Sequence, residues 1–156
     1  WHQDGQYWPI RPLATCTVWL AVDDANEENG CLKFIRGSHR DKNLKQHEFN
    51  EDKNLTLHQE LLKSEFNEKE SVNLILKRGQ ISLHDVYLVH GSDANLSSKS
   101  RRGMTMRFMP TTSVFDHNLA KEKYNNLNVS KYSNRKIYLA RGYDKSKKNN
   151  LEVVNF

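Results

Sequence analysis

The chain has 156 residues, enough to bury a core without disulfide or metal staples, so a single domain spanning 1–156 is the default expectation. With 37% hydrophobic and 28% charged residues and no apolar run of spanning length, the composition fits a soluble protein and excludes a transmembrane helix. The formal charge of +5 comes from scattered lysines that thicken only at Lys145, Lys147 and Lys148; no basic stripe is interleaved with exposed aromatics, so neither nucleic acid nor membrane is an expected partner.

The two cysteines, Cys16 and Cys31, lie in separate strand-like runs without CxxC spacing, which argues against a zinc site or a disulfide framework and for a reducing, cytoplasmic location. The chain opens on Trp1-His2-Gln3-Asp4 rather than on methionine and reads as the C-terminal part of a longer domain.

Residues 13–22 (LATCTVWLAV) are rich in β-branched and aromatic side chains and predict a strand. The acidic, Asn-rich stretch that follows ends at Asn29-Gly30, and residues 31–35 resume an extended pattern, so a hairpin is expected there. Residues 40–70 are polar and predict a surface insertion, with a weakly helical 57–62 inside it. Two further strands are expected over 71–76 and 81–90, antiparallel and joined by a turn at Arg78-Gly79-Gln80.

The run 101–109 alternates between two faces before Pro110. One face carries Arg101, Gly103, Thr105 and Arg107; the other carries Arg102, Met104, Met106 and Phe108 and is expected to pack on apolar neighbours. Residues 111–156 are polar and are expected to be peripheral. Short strands with Gly, Asn and Pro turns and no long amphipathic helix predict a mainly β protein with a double-sheet jelly roll or a related barrel.

His2 and Asp4 are two apart, so in an extended segment both side chains project to the same side. With His90 they form a set of two imidazoles and one carboxylate, a set that leaves part of a metal's coordination sphere open and is the arrangement of non-heme Fe(II) oxygenases. An HxD pair alone is a weak signal. Eleven residues after His90 comes Arg101, whose guanidinium suits bidentate binding of a carboxylate. His84 competes with His90 as third ligand but lacks the Gly91-Ser92 and arginine context and reads as a strand residue. His39 reads as a turn residue, and His47, His58 and His117 as solvated. Arg107 shares the face of Arg101 and reads either as a contact to substrate or a second anion or, the commoner case, as an exposed strand-end arginine; Tyr7 and Trp8 either shape a substrate pocket or pack beneath it, packing being the favoured reading.

The opening Trp1-His2-Gln3-Asp4-Gly5-Gln6-Tyr7-Trp8, the strand ending Trp19-Leu20-Ala21-Val22-Asp23-Asp24, the block Asn29-Gly30-Cys31-Leu32 with Gly37-Ser38-His39, and the spacing from His90-Gly91-Ser92 to Arg101 together resemble the phytanoyl-CoA dioxygenase family. The resemblance covers residue 1 to about residue 110. It implies a double-stranded β-helix, or cupin-like, fold whose N-terminal part precedes Trp1. It further implies an iron triad of His2, Asp4 and His90, with Arg101 anchoring the distal carboxylate of 2-oxoglutarate and Ser92 as a second contact. Trp19 and Gln3 match positions that lie beside the cosubstrate in relatives. The implied reaction uses Fe(II), 2-oxoglutarate and O2 to hydroxylate a small organic molecule with release of succinate and CO2; Asp4 favours hydroxylation over halogenation, because halogenating relatives lack this carboxylate. The competing expectation is a cupin-like jelly roll that binds a metal or ligand without turnover, and the oligomeric state is not readable.

Overall fold

The computed structural model describes residues 1–55, 57–127 and 131–153. In chain order the elements are β1 (Ile10–Arg11), β2 (Cys16–Ala21), β3 (Leu32–Ile35), β4 (His47–Phe49), β5 (Gln59–Leu61), β6 (Ser71–Leu74), β7 (Ile81–Asp85), β8 (His90–Ser92), β9 (Gly103–Phe108), β10 (Val114–Phe115), α1 (His117–Leu127), β11 (Ile137–Tyr138) and β12 (Leu151–Glu152). Two antiparallel sheets, β7-β2-β9 and β6-β3-β8, make the body of a double-stranded β-helix. Their inner faces meet where Phe34 of β3 lies 5.5 Å from the ring of His84 on β7, and where Leu32 packs against the buried cluster of Trp19, Ala21, Ala25 and Cys31. No helix among the described residues is long and apolar enough to cross a membrane. Both cysteines are free, Cys16 exposed and Cys31 buried.

The jelly roll is as expected, but its strand pairs are not. The hairpin predicted from 13–22 and 31–35 does not form, since β2 and β3 belong to different sheets. The link over 23–30 crosses between them. Asn26 and Asn29 each accept the other's backbone N–H, at 2.8 and 3.2 Å, and the Asn29 amide also donates to the carbonyls of Asp24 and Ser100. Gly30 closes the link at φ +74°, where a Cβ would stand 2.5 Å from the Asp93 carbonyl oxygen, so the turn is built for crossing rather than for pairing its flanks.

The expected strand 81–90 is likewise two strands on opposite sheets. Tyr87 N–H donates to the Asp85 carboxylate at 2.8 Å and Leu88 N–H to the Asp85 carbonyl at 3.1 Å, turning the chain between β7 and β8. Val86 and Val89 are fully buried in that turn, which explains why the run reads as a continuous apolar strand. Its ends, His84 and His90, consequently approach the barrel interior from the two sheets, their rings 5.0 Å apart.

The stretch 40–70 is more than a surface insertion. Residues 57–62 are not helical: β5 pairs with β4, and Leu61 N–H donates to the Trp1 carbonyl at 2.8 Å, which ties this hairpin to the opening segment. Leu61 is 2% exposed and packs with Ile35 and Val89, beneath Trp1 and Phe66.

Nor are residues 111–156 wholly peripheral. β10 pairs with β1, and Phe115 and Ala120 join Tyr7, Trp8 and Ile10 in one buried cluster. Asp116 caps α1: its carboxylate accepts the N–H groups of Asn118 and Leu119, both at 2.9 Å.

Candidate metal centre

His2 and His90 are direct cross-strand neighbours. Each N–H donates to the other's carbonyl, at 2.9 and 3.0 Å, and this bridge extends the β6-β3-β8 sheet by the opening segment. It brings the two imidazoles to 4.2 Å between ring centroids. Gln3 is extended at φ −115° and ψ 133°, so Asp4 returns to the side of His2 before the chain enters a 3-10 turn over Asp4–Gln6. Nε2 of His2 is 3.8 Å from Oδ1 of Asp4, and Nε2 of His90 is 4.0 Å from the same oxygen. One donor atom from each of His2, Asp4 and His90 lies within 4.8 Å of the others, a spacing that a single metal ion could bridge.

The surroundings set the protonation this requires. Burial works against ionisation of Asp4, but the opposing influence of His90, Arg107, His2 and His84 outweighs it and holds the carboxyl at about 2. Burial, followed by the nearby His90, pushes His2 well below the ordinary imidazole value; burial also lowers His90, and it brings His84 down to about 4. A charged carboxylate and neutral imidazoles are the forms that bind a metal. Nδ1 of His90 lies 2.8 Å from the Leu88 carbonyl; a proton donated there leaves the Nε2 lone pair facing Asp4.

Asp4 is held by a row of side chains that the sequence did not single out as a unit. Register places Thr17 of β2 opposite His84 of β7 on one side and Arg107 of β9 on the other. Thr17 Oγ1 donates to Asp4 Oδ2 at 2.9 Å, Arg107 Nη2 lies 3.3 and 3.4 Å from the two carboxylate oxygens, and His84 Nε2 is 3.8 Å from Oδ2. Oδ1 thus faces the imidazoles of His2 and His90, Oδ2 meets Thr17 and His84, and Arg107 reaches both oxygens. Of the two readings of Arg107, the exposed strand-end residue does not hold, since its guanidinium lies against the Asp4 carboxylate. The cue to Thr17 and Arg107 was their shared inward face, readable only once β2 and β9 are known to be partners. His84 stands beside the carboxylate but outside the ligand group, in keeping with its reading as a strand residue.

Trp19, Ser92 and Arg101, expected around 2-oxoglutarate, lie in or beside the two main sheets. Trp19 is buried with Ala21, Ala25 and Cys31, and a Cβ on Gly103 would stand 2.3 Å from its ring. Ser92 is paired with Leu32, which packs against that cluster. Arg101 is half-buried, its Nε shielded and without a hydrogen-bond partner among the described residues. Arg102 turns outward to a bidentate pair with Asp23, both N–O distances 2.8 Å, so the alternation that separates the two arginines holds.

Gln3 is fully buried and its amide is engaged by backbone: Nε2 donates to the carbonyls of Asn43 and Tyr87 at 3.0 and 2.7 Å, and Oε1 accepts from Lys45 N–H at 2.8 Å. His47 is not simply solvated, since its Nε2 accepts the Gln3 N–H at 3.1 Å. His58 and His117 each meet a backbone carbonyl, of Asn50 and Arg135 respectively. Tyr7 packs in the core and donates from its hydroxyl to the Gln59 carbonyl at 2.6 Å, and Trp8 stacks on Tyr132 at 4.9 Å.

Residues 1–103 match the family model described as Phytanoyl-CoA dioxygenase (PhyH). The chain is 34% identical over 112 residues to the phytanoyl-CoA dioxygenase domain-containing protein 1 homolog of Dictyostelium discoideum, covering 69% of this chain and 39% of that protein. It is 30% identical to the peroxisomal phytanoyl-CoA dioxygenase of Homo sapiens, covering 69% of this chain and 32% of the relative. Among solved structures, EvdO2 from Micromonospora carbonacea var. aurantiaca, complexed with 2-oxoglutarate, superposes with a TM-score of 0.60 at 26% identity, covering 70% of this chain and 44% of that one. The chain thus spans about two fifths or less of the length of these curated relatives. The matched span contains His2, Asp4, Trp19, His90, Ser92 and Arg101, and the chain belongs to the phytanoyl-CoA dioxygenase family.

Proposed function

We propose that this protein is an Fe(II)- and 2-oxoglutarate-dependent oxygenase that hydroxylates a small organic substrate, with His2, Asp4 and His90 binding the metal and Arg101 and Ser92 receiving the distal carboxylate of 2-oxoglutarate. The observation that carries the reading is the convergence of two neutral imidazoles and one ionised carboxylate from two separate segments onto one buried point. The donor set fits iron, and three protein ligands leave coordination positions for a chelating keto acid and oxygen. When bound, the metal and cosubstrate supply the oxidising power: substrate C–H, 2-oxoglutarate and O2 become substrate C–OH, succinate and CO2.

The chain's own residues have definable tasks in that scheme. Thr17 restrains Asp4 Oδ2 and favours one-oxygen ligation through Oδ1, while Arg107 bears on both oxygens and holds the carboxylate ionised. The Leu88 carbonyl fixes the His90 ring. Arg101, whose shielded Nε has no hydrogen-bond partner among the described residues, offers its guanidinium to a carboxylate. The relation to a protein complexed with 2-oxoglutarate supports this choice of cosubstrate.

The test is anaerobic addition of Fe(II) and 2-oxoglutarate, followed by the visible charge-transfer band of the chelate. A band in the wild type that is lost in Asp4→Ala and weakened in Arg101→Ala, with succinate formed on admitting oxygen, is expected. A folded protein without the band would leave only a ligand-binding jelly roll.

A further inference from the structure

Beside the metal centre lies a cavity of about 680 Å³, within the range that accommodates a drug-sized molecule. Its floor is apolar, with Trp8, Ile10 and Phe115 from the buried cluster and Ile137 from β11. Its charged lining is one-sided: Arg107, Arg135, Lys136 and Arg141 against Asp144. The carboxylate of Asp144 is already spent on the Ser146 hydroxyl at 2.6 Å and on Asn149 N–H at 3.1 Å, and Lys136 pairs with Glu152 at 3.4 Å. Arg135 and Arg141 have no carboxylate partner among the described residues. Two residues of the wall, Thr15 and Arg107, each carry a shielded polar atom, Oγ1 and Nε, without a hydrogen-bond partner among the described residues.

Arg107 belongs to both spaces. It touches the Asp4 carboxylate, and its guanidinium carbon sits 4.7 Å over the Trp8 ring, with Arg135 at 5.2 Å from the same ring. Trp8 therefore orders the guanidinium groups by cation–π contact and presents them to the cavity. Of the lining residues, only Trp8, Ile10 and Thr15 fall within the span matched by the family model, so the rest of the wall is supplied by the part of the chain beyond it.

We propose that this cavity is the substrate chamber and that it selects an organic anion: an apolar, ring-sized body against Trp8, Phe115 and Ile137, and an acid group paired with Arg135 and Arg141. Its role as the substrate chamber rests on the oxygenase reading; its preference for anions does not. Naphthalene-2-carboxylate and naphthalene-2-carboxamide share one body and differ in charge, so calorimetric titration of each into the metal-free protein isolates the acid group. The acid is expected to bind at least tenfold tighter than the amide, and Arg135→Gln/Arg141→Gln to abolish that preference while the anaerobic iron–2-oxoglutarate band is unchanged. Equal binding of the two probes, no binding of either, or a preference that survives the double substitution would overturn the proposal. An absent band in the wild type with the preference intact would remove the oxygenase reading and leave the anion site standing.

Discussion

The two faces of the β7-β2-β9 sheet are made of opposite materials. Toward the metal centre, His84, Thr17 and Arg107 form one row across the strands, and Ser82, Trp19 and Thr105 form the next. On the far face, Leu83, Val18 and Met106 make one row and Ile81, Leu20 and Met104 another, with Leu83 63%, Ile81 52% and Met104 50% exposed. The expectation that Met104, Met106 and Phe108 would pack on apolar neighbours is met only sideways, strand to strand; above them the face is open. Alternation tells which residues share a face, but the habit of placing the apolar face inside fails where the interior must hold a charged carboxylate. The row of His84, Thr17 and Arg107 faces in because Asp4 needs partners there, and the apolar rows make a contiguous patch of the kind that marks a contact surface.

Substitutions on either face put that contrast at risk. The largest effect is expected from Thr17→Val, which keeps the shape and removes the hydroxyl. It should cost about 2 kcal/mol in denaturant unfolding, the usual range for losing a hydrogen bond to a charged buried group. Fe(II) affinity should fall by about 10–100-fold, as for other residues that orient a metal ligand. Recovery of both in Thr17→Ser would assign the effect to the hydroxyl, and an innocuous Thr17→Val would reduce the inner row to packing.

A smaller effect should follow from pH. In the metal-free fold His2, His84 and His90 all titrate below the ordinary imidazole value, chiefly because burial disfavours the charged ring. The unfolded chain therefore takes up protons first, so their contribution to stability is complete above about pH 6.5 and declines as pH falls toward about 4, where His84 titrates in the fold. Melting curves with chelator present should show the midpoint dropping across that window, and His84→Phe should flatten the slope. A midpoint independent of pH between 7 and 4 would contradict the burial of these rings. The smallest effect belongs to the outer face: Leu83→Lys should change stability by less than about 0.5 kcal/mol while reducing binding of a hydrophobic dye. A loss of several times that size would mean the face is covered.

The grouping of His2, Asp4 and His90 was legible because each half carries a local mark and the family resemblance joins the halves. His2 and Asp4 need only an extended Gln3 between them, and His90 and Ser92 share β8 while Arg101 follows within the link that leads to β9. Alternation sets Arg101 and Arg102 on opposite faces, and the family spacing chose Arg101. What escaped depends on which strand pairs with which. Thr17 and Arg107 are 90 residues apart, and nothing in either segment says that β2 borders β9 rather than β3. The buried turn at Val86 and Val89 looks like strand because burial, not pairing, selects its residues. The β4·β5 pair was missed because its segments are short and polar, with buried ends contributed by Gln59 and Leu61. For α1 the cue was present in Asp116, an N-cap residue ahead of a run of ordinary helix formers, but the apolar stripe that would have supported it is thin.

The two-ligand motif is conventionally written with a free middle position, and Gln3 shows that here the middle is not free. Its amide and backbone N–H are used to stitch residues 43, 45, 47 and 87 to the ligand strand. In a saturation-mutagenesis map position 3 would be as intolerant as positions 2 and 4, and a reader ranking sites by tolerance alone would count one ligand too many. Added metal would separate the cases: excess Fe(II) cannot rescue a broken stitch, whereas it can partly compensate a weakened ligand.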